Sequence, residues 1–221
     1  VAPPATQNEA KESAATAAPG VVLPDTEALR VHDPVGRDYP IWVALPADYA
    51  AHPEKRYPVV YVTDALYSFP LVRSVRNLVG QGGANLEDFI LVGLPPQQGL
   101  TSKQSRSRDY TPTQPQRTAD DDYSDDVVYG GAAHYRDFLA THVLPAVDAR
   151  YRTDPARRVF AGHSYGALLG AYVLTTQPDM FGTYILSSPS LWFDQGLLPR
   201  MQDAAVMPSQ PIRVLLSVGG Y

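Results

Sequence analysis

Gly162-His163-Ser164-Tyr165-Gly166 sets a serine between two glycines at the G-x-S-x-G spacing. A serine so placed can attack a carbonyl when the chain turns sharply from a strand into a helix and leaves the hydroxyl exposed at the strand end. Each glycine has a mechanical reason. At such a turn the flanking residues press against neighbouring strands, where side chains would collide, and the helix N-terminus behind the serine favours developing negative charge. The bare pattern arises by chance in about a tenth of chains this long, so its setting carries the weight. Arg158-Val159-Phe160-Ala161 reads as a strand and Ala167 to about Gln177 as a helix, which is the setting the motif needs. An incidental turn serine is the alternative.

A serine hydroxyl is a weak nucleophile until a base takes its proton, and the usual order in this arrangement is Ser, acid, His. The histidines are His32, His52, His134, His142 and His163, and none follows Ser164. The expectation is therefore a C-terminally incomplete domain whose acid and histidine lie beyond Tyr221. A naturally short, inert binding scaffold and a local substitute base are the competing readings. His163 adjoins the serine but starts on the wrong side of the turn and reads as a packing residue or as one that supports the site without touching the substrate. His142 falls on an apolar helix face and reads as a core histidine. Asp194, just past a strand, reads as a cap or surface carboxylate, with a role as the acid the alternative.

Other clusters weigh less. Arg106 and Arg108 could bind an anionic substrate by bidentate hydrogen bonds, or form structural ion pairs with residues such as Asp109 that hold their loop over the sheet. Trp192 reads either as the wall of a substrate pocket or as core. Asp120, Asp121, Asp122, Asp125 and Asp126 read as a solvated loop, since the glycine and terminal glutamate of a calcium-binding loop are missing. Gly80, Gly82 and Gly83 match neither a P-loop nor G-x-G-x-x-G, so no nucleotide cofactor is expected. The absence of cysteine excludes thiolate catalysis and Cys-based zinc sites, and no metal or other cofactor is expected. Eighteen Lys and Arg scattered through a chain of net charge −5 leave no basic footprint for nucleic acid. No apolar run reaches the length of a membrane span.

The elements that must position these residues follow from hydrophobic patterning. With 44% hydrophobic and 19% charged residues, the 221-residue chain can bury a sizeable core. Residues 1–27, rich in Ala and Pro, read as a flexible leader of the kind left after removal of a bacterial export signal, which predicts a periplasmic or secreted protein. An arbitrary boundary would look the same. Residues 28–221 read as one domain. Leu29–Val35 and Tyr39–Pro46 predict an antiparallel hairpin turning at Gly36 to Asp38. Tyr57–Asp64, Phe89–Leu94, Arg158–Gly162, Thr183–Ser188 and Ile212–Val218 are short, nearly continuous apolar runs, as in strands covered on both faces. Helical stretches between them predict right-handed crossovers and a mostly parallel sheet. Ala132–Tyr151 reads as a helix bent at Pro145. Gln97–Tyr129 shows no regular periodicity and reads as a long loop serving a site.

In order along the chain, HDPVGRDYPIWVALPADY, YPVVYVTDALYSF, SRDYTPT and RVFAGHSYGALLGAYVLTTQPDMFGTYILSSPSLWFD are similar to the putative-esterase (esterase D-like) family of α/β-hydrolases, which includes trilactone siderophore esterases. The resemblance runs from about Leu29 to Tyr221. It implies an α/β-hydrolase-type sheet with helices on both faces and a serine carboxylesterase acting on a small-molecule ester through an acyl-enzyme on Ser164. A catalytically inert binding protein and an acyltransferase using the same serine are the alternatives. The resemblance also implies an oxyanion hole with one backbone N–H from Tyr165 and a second from the loop after an early strand. That loop usually reads Leu-Asp-Gly, whereas here it is Thr63-Asp64-Ala65-Leu66, so the second donor falls to Ala65 or Leu66.

Overall fold

The computed structural model describes residues 22–80, 85–115 and 127–219. Most of the expected leader, Gly82, Gly83, the Asp120–Asp126 cluster and Tyr221 lie outside them. Strands β1 (Thr26–His32) and β2 (Asp38–Ala44) form the expected hairpin, with Thr26 opposite Ala44 and His32 opposite Asp38. Asp33 builds its turn: the carboxylate accepts the amides of Val35 and Arg37, each at 2.9 Å, as short acidic side chains do in turns.

Strand β2 pairs antiparallel with β4 (Ile90–Leu94), and from there the sheet is parallel through β3 (Tyr57–Thr63), β5 (Thr153–His163), β6 (Thr183–Ser187) and β7 (Arg213–Ser217). The sheet order is β1-β2-β4-β3-β5-β6-β7. Alternation along each strand sends side chains to opposite faces. Val59, Tyr61, Ile90 and Val92 join the larger core, where α3 (Ala132–Phe138), α4 (Leu144–Arg150) and α5 (Tyr165–Thr176) pack. Ala44, Val62 and Leu91 meet Ala65 and Phe69 of α1 (Ala65–Val79) on the other face. Two further helices, α2 (Ser102–Tyr110) and α6 (Leu197–Asp203), lie over the carboxyl ends of the strands and beside α5 respectively.

The structure corrects or refines four expectations. The stretch read as a structureless loop contains α2, which starts in a capping box: the Thr101 side chain accepts the Gln104 amide while the Gln104 side chain accepts the Thr101 amide. At Pro145 the helix is not regular: it passes through a π-helical turn over Leu139–Val143 before continuing as α4, which accommodates the missing N–H. Strand β5 starts five residues earlier than its apolar run suggests, at Thr153. Among the described residues, strand β7 is apolar yet exposed along its length, pairing with β6 alone and covered by no described helix. No helix among the described residues is long and apolar enough to cross a membrane.

Arg76 locks α1 to the sheet. Only 4% exposed, it donates from Nη1 to the carbonyls of Ala44 (3.0 Å) and Phe89 (2.9 Å) and from Nη2 to that of Leu45 (3.0 Å). Arg76→Met would orphan all three acceptors and is expected to cost about 3 kcal/mol, measured by urea denaturation. Asp33 supplies a pH dependence. Burial opposes its charge, but the hydrogen bond to His134 Nε2 (2.9 Å) and the two amides outweigh that and hold its pKa below the ordinary carboxylate value. Its contribution to stability is therefore complete above the unfolded pKa and is lost as pH falls through the lower folded value. Asp33→Asn is expected to flatten the acid arm of the curve of stability against pH.

Candidate active site

The strand-to-helix turn forms as the motif requires. Strand β5 ends at His163, α5 opens at Tyr165, and between them Ser164 takes φ +56° and ψ −118°. That conformation is strained for a residue with a Cβ and persists only where surroundings over-determine it. Here the Ser164 amide donates to Ser187 O (3.0 Å), and Ser164 O accepts the amides of Leu168 (2.9 Å) and Ser190 (3.3 Å). The glycines are obligatory. A Cβ on Gly162 would lie 2.4 Å from the carbonyl carbon of Gly166, and one on Gly166 would lie 2.1 Å from Thr63 Oγ1.

That second approach sets the end of β3 against the start of α5, so the two loops expected to supply backbone donors are neighbours. Tyr165 opens α5, and its amide sits at the positive end of the helix. Ala65 and Leu66 open α1 and have no acceptor for their amides within it. The missing glycine of this loop causes no strain at Ala65. The left-handed conformation falls one residue earlier, on Asp64 (φ +53°, ψ +46°), and aspartate tolerates it better than most side chains.

Arg106 ties the two loops together. Its Nε and Nη2 donate to the two carboxylate oxygens of Asp64, at 2.9 and 3.3 Å, and its guanidinium lies 5.0 Å from the centre of the Tyr165 ring. Burial works against the Arg106 charge, but Asp64 more than offsets it and raises the pKa above the ordinary arginine value. Burial, with the Asp64 charge, likewise raises the pKa of Tyr67, whose hydroxyl donates to Asp64 Oδ2 at 3.3 Å. Arg106, Asp64, Leu66, Tyr67 and Tyr110 line a small cavity of about 100 Å³ between the start of α1 and α2.

The remaining candidates separate. Arg108 does not line that cavity; it donates to Asp109 (2.7 and 3.0 Å) and to Tyr39 Oη (2.9 Å), fastening α2 to β2. Trp192 is not core. It is 75% exposed, and the buried residue of the pair is Phe193, packed edge-on against Tyr165 at 5.3 Å. Asp194 accepts from Thr113 Oγ1 at 2.6 Å and pairs with Arg200, so it anchors the start of α6. His142 is only half-buried, stacked on Phe138 and bonded to Thr141. His163 is exposed, which corrects its reading as a packing residue. His32, His52 and His134 each pair with an aspartate, and among the described residues no histidine or carboxylate reaches Ser164 Oγ. No group of three or more potential metal ligands occurs among the described residues.

Sequence reasoning missed two participants. The side-chain partner of Ser164 is Ser190, with Oγ to Oγ 3.1 Å and Ser190 only 3% exposed. Its signal was a serine a few residues past a strand adjacent to the one bearing the nucleophile. The Asp64–Arg106 pair links segments 42 residues apart, and no local pattern announces it.

The sheet order, the helices on both faces and the turn at Ser164 together define an α/β-hydrolase-type protein. Residues 33–216 match the putative esterase family, and the chain belongs to it. It is 34% identical over 179 residues to the siderophore triacetylfusarinine C esterase of Aspergillus fumigatus, covering 79% of this chain and 59% of that protein. It is 29% identical over 194 residues to the ferri-bacillibactin esterase BesA of Bacillus subtilis, covering 83% of this chain and 65% of the relative. The chain thus spans about three-fifths of the length of these relatives. The structure of the siderophore hydrolase EstB from Aspergillus nidulans superposes with a TM-score of 0.73 at 28% identity, over 91% of this chain and 72% of that one.

Gly166→Ala tests the closeness of the two loops. The added methyl must drive the end of β3 from the start of α5, and stability is expected to fall by about 1–3 kcal/mol in urea denaturation. Unchanged stability would show that the loops can part freely.

Proposed function

We propose that the protein hydrolyses carboxylic esters through an acyl-enzyme on Ser164. The observation that carries this reading is the backbone of Ser164: a strained serine at the carboxyl end of β5, aimed over the N-termini of α1 and α5. The hydroxyl oxygen attacks the ester carbonyl as its proton passes to a base. No described residue is placed to be that base, so the reading requires a histidine from outside the described residues. The negative charge on the carbonyl oxygen is met by the Tyr165 amide and by that of Ala65 or Leu66, fixed dipoles that need not reorganise as the charge develops. The alcohol leaves, and water then releases the acid by the reverse path.

Siderophore esters are the substrate class to try first, because two relatives bear such activities in their names. A small cavity between the start of α1 and α2, rimmed by Tyr67, Tyr110 and by Arg106, whose guanidinium lies against the Tyr165 ring, supports a substrate with a polar or aromatic acyl part. In the full-length protein Ser164→Ala is expected to lower kcat/KM on a p-nitrophenyl ester and on a trilactone siderophore by about 10⁴-fold or more, with the melting temperature kept. A fluorophosphonate should add once to the wild type, on Ser164, and not to the variant. Turnover retained by the variant would overturn the assignment.

A further inference from the structure

Among the described residues, the hydroxyl of Ser164 has one side-chain partner, Ser190, and that partner is held in place from several directions. The segment Ser187-Ser188-Pro189-Ser190 leaves β6 at its carboxyl end. Ser187 O accepts the Ser164 amide at 3.0 Å, the Ser188 amide donates to Ser217 O at 2.7 Å, and the Ser190 amide donates to Ser164 O at 3.3 Å. Ser188 takes φ +44°, a strained turn that redirects the chain toward β5. Beyond it the Phe193 amide donates to Ser190 O at 3.1 Å, and the Phe193 ring is buried between Tyr165 and Tyr129. Main chain and side chain of Ser190 therefore both converge on the nucleophile. Its Oγ, 3.1 Å from Ser164 Oγ, has no other partner among the described residues.

Proton counting decides the direction of this bond in a reacting enzyme. If the Ser164 proton is to pass to a base, the Ser164 O–H must point at that base. The bond between the serines then has one polarity open to it, with Ser190 O–H donating to a lone pair of Ser164 Oγ. Resting on the nucleophilic role of Ser164, we propose that Ser190 is a catalytic residue. Its hydroxyl donates to the attacking oxygen, fixes the attacking rotamer, and stabilises the negative charge that gathers on that oxygen.

Ser190 keeps its proton throughout. During acylation the bond from Ser164 Oγ to the substrate carbon forms while the Ser164 proton leaves for the base, and the Ser190 donor bond strengthens as charge builds on Oγ. During deacylation the same Oγ is the leaving group. Water adds to the acyl carbon as the base takes its proton, the bond from that carbon to Oγ then breaks, the electron pair returns to Oγ, the base passes its proton to Oγ, and the Ser190 donor again faces the oxygen that carries the charge. The bond thus acts in both half-reactions, at the atom opposite the oxyanion.

The test uses the full-length protein, with Ser190→Ala and Ser190→Thr compared with wild type in three measurements: steady-state ester hydrolysis, the rate of fluorophosphonate addition to Ser164, and the melting temperature. Ser190→Ala is expected to lower kcat and the addition rate together by about 10- to 100-fold, the worth of one hydrogen bond to a charged atom, with KM within about twofold of wild type. Ser190→Thr, which keeps the donor, should recover most of both rates. A purely structural role would instead leave Thr as impaired as Ala, or would track the melting temperature, and either result overturns the proposal. So do equal or faster rates for Ser190→Ala, which would make Ser164 the donor in a resting lock, and a change confined to KM. If the wild type takes no adduct on Ser164, the nucleophile itself fails and Ser190 with it. An adduct forming equally fast in wild type and Ser190→Ala sinks the Ser190 role alone.

Discussion

The approach of Gly166 to Thr63 is the constraint on which the site depends. Strands β3 and β5 are paired neighbours, and each runs directly into a helix at its carboxyl end. With no side chain on Gly166, the two strand-to-helix turns can close to within van der Waals distance of one another. Two helix N-termini then face the same volume of space, and their unsatisfied amides and dipoles add there. A methyl at that point would meet the Thr63 side chain at 2.1 Å and force one of the two turns to shift. The rest of the site is arranged around this closeness rather than producing it.

The polar network over the turns shows how the arrangement is held. Asp64 is in the left-handed region, 9% exposed, and carries a charge beside a helix start. Arg106 meets that charge from α2 and lies against the Tyr165 ring, so one side chain spans both loops. Helix α2 is in turn fixed by Asp109, 1% exposed, whose carboxylate takes hydrogen bonds from Tyr39, Ser105 and Arg108. Such buried charges are weak sources of net stability, because desolvation consumes much of the attraction, but breaking one partner leaves the other stranded. Their value here is positional: they select one placement of α2 over the sheet.

This also explains what could be read in the sequence. The hairpin, the central strands and the turn at Ser164 are governed by local pattern, with apolar alternation, a glycine spacing and helix punctuation agreeing with one another. Helix α2 escaped because SKQSRSRDY lacks an apolar stripe. It buries serines and an aspartate, so its stability comes from polar partners in β2 and at Asp64, between β3 and α1, that periodicity cannot reveal. The Thr101-x-x-Gln104 cap was the available local signal. The core reading of Trp192 fails because the 3₁₀ turn over Leu191–Phe193 turns Phe193 inward in its place. The apolar run of β7 announced a strand, which among the described residues pairs with β6. Ser190 and Arg106 act across distances in sequence that only the fold closes.

Backbone strain marks the same region independently. Among the described residues four non-glycine residues have positive φ, and three of them, Asp64, Ser164 and Ser188, follow the carboxyl ends of β3, β5 and β6. These strands are consecutive in the sheet. Each such conformation costs on the order of 1–3 kcal/mol and survives only where surrounding bonds leave no alternative. The bonds are present at each: the Asp64 amide donates to Tyr110 Oη, Ser164 is held by Ser187, Leu168 and Ser190, and Ser188 donates to Ser217. The opposite ends of the same strands carry no comparable strain among the described residues. A fold selected for stability alone would relax these turns with glycine or asparagine. Retaining side chains there makes sense if the side chains themselves are needed: a carboxylate to orient Arg106, a hydroxyl to attack, and a chain reversal that delivers Ser190 to that hydroxyl.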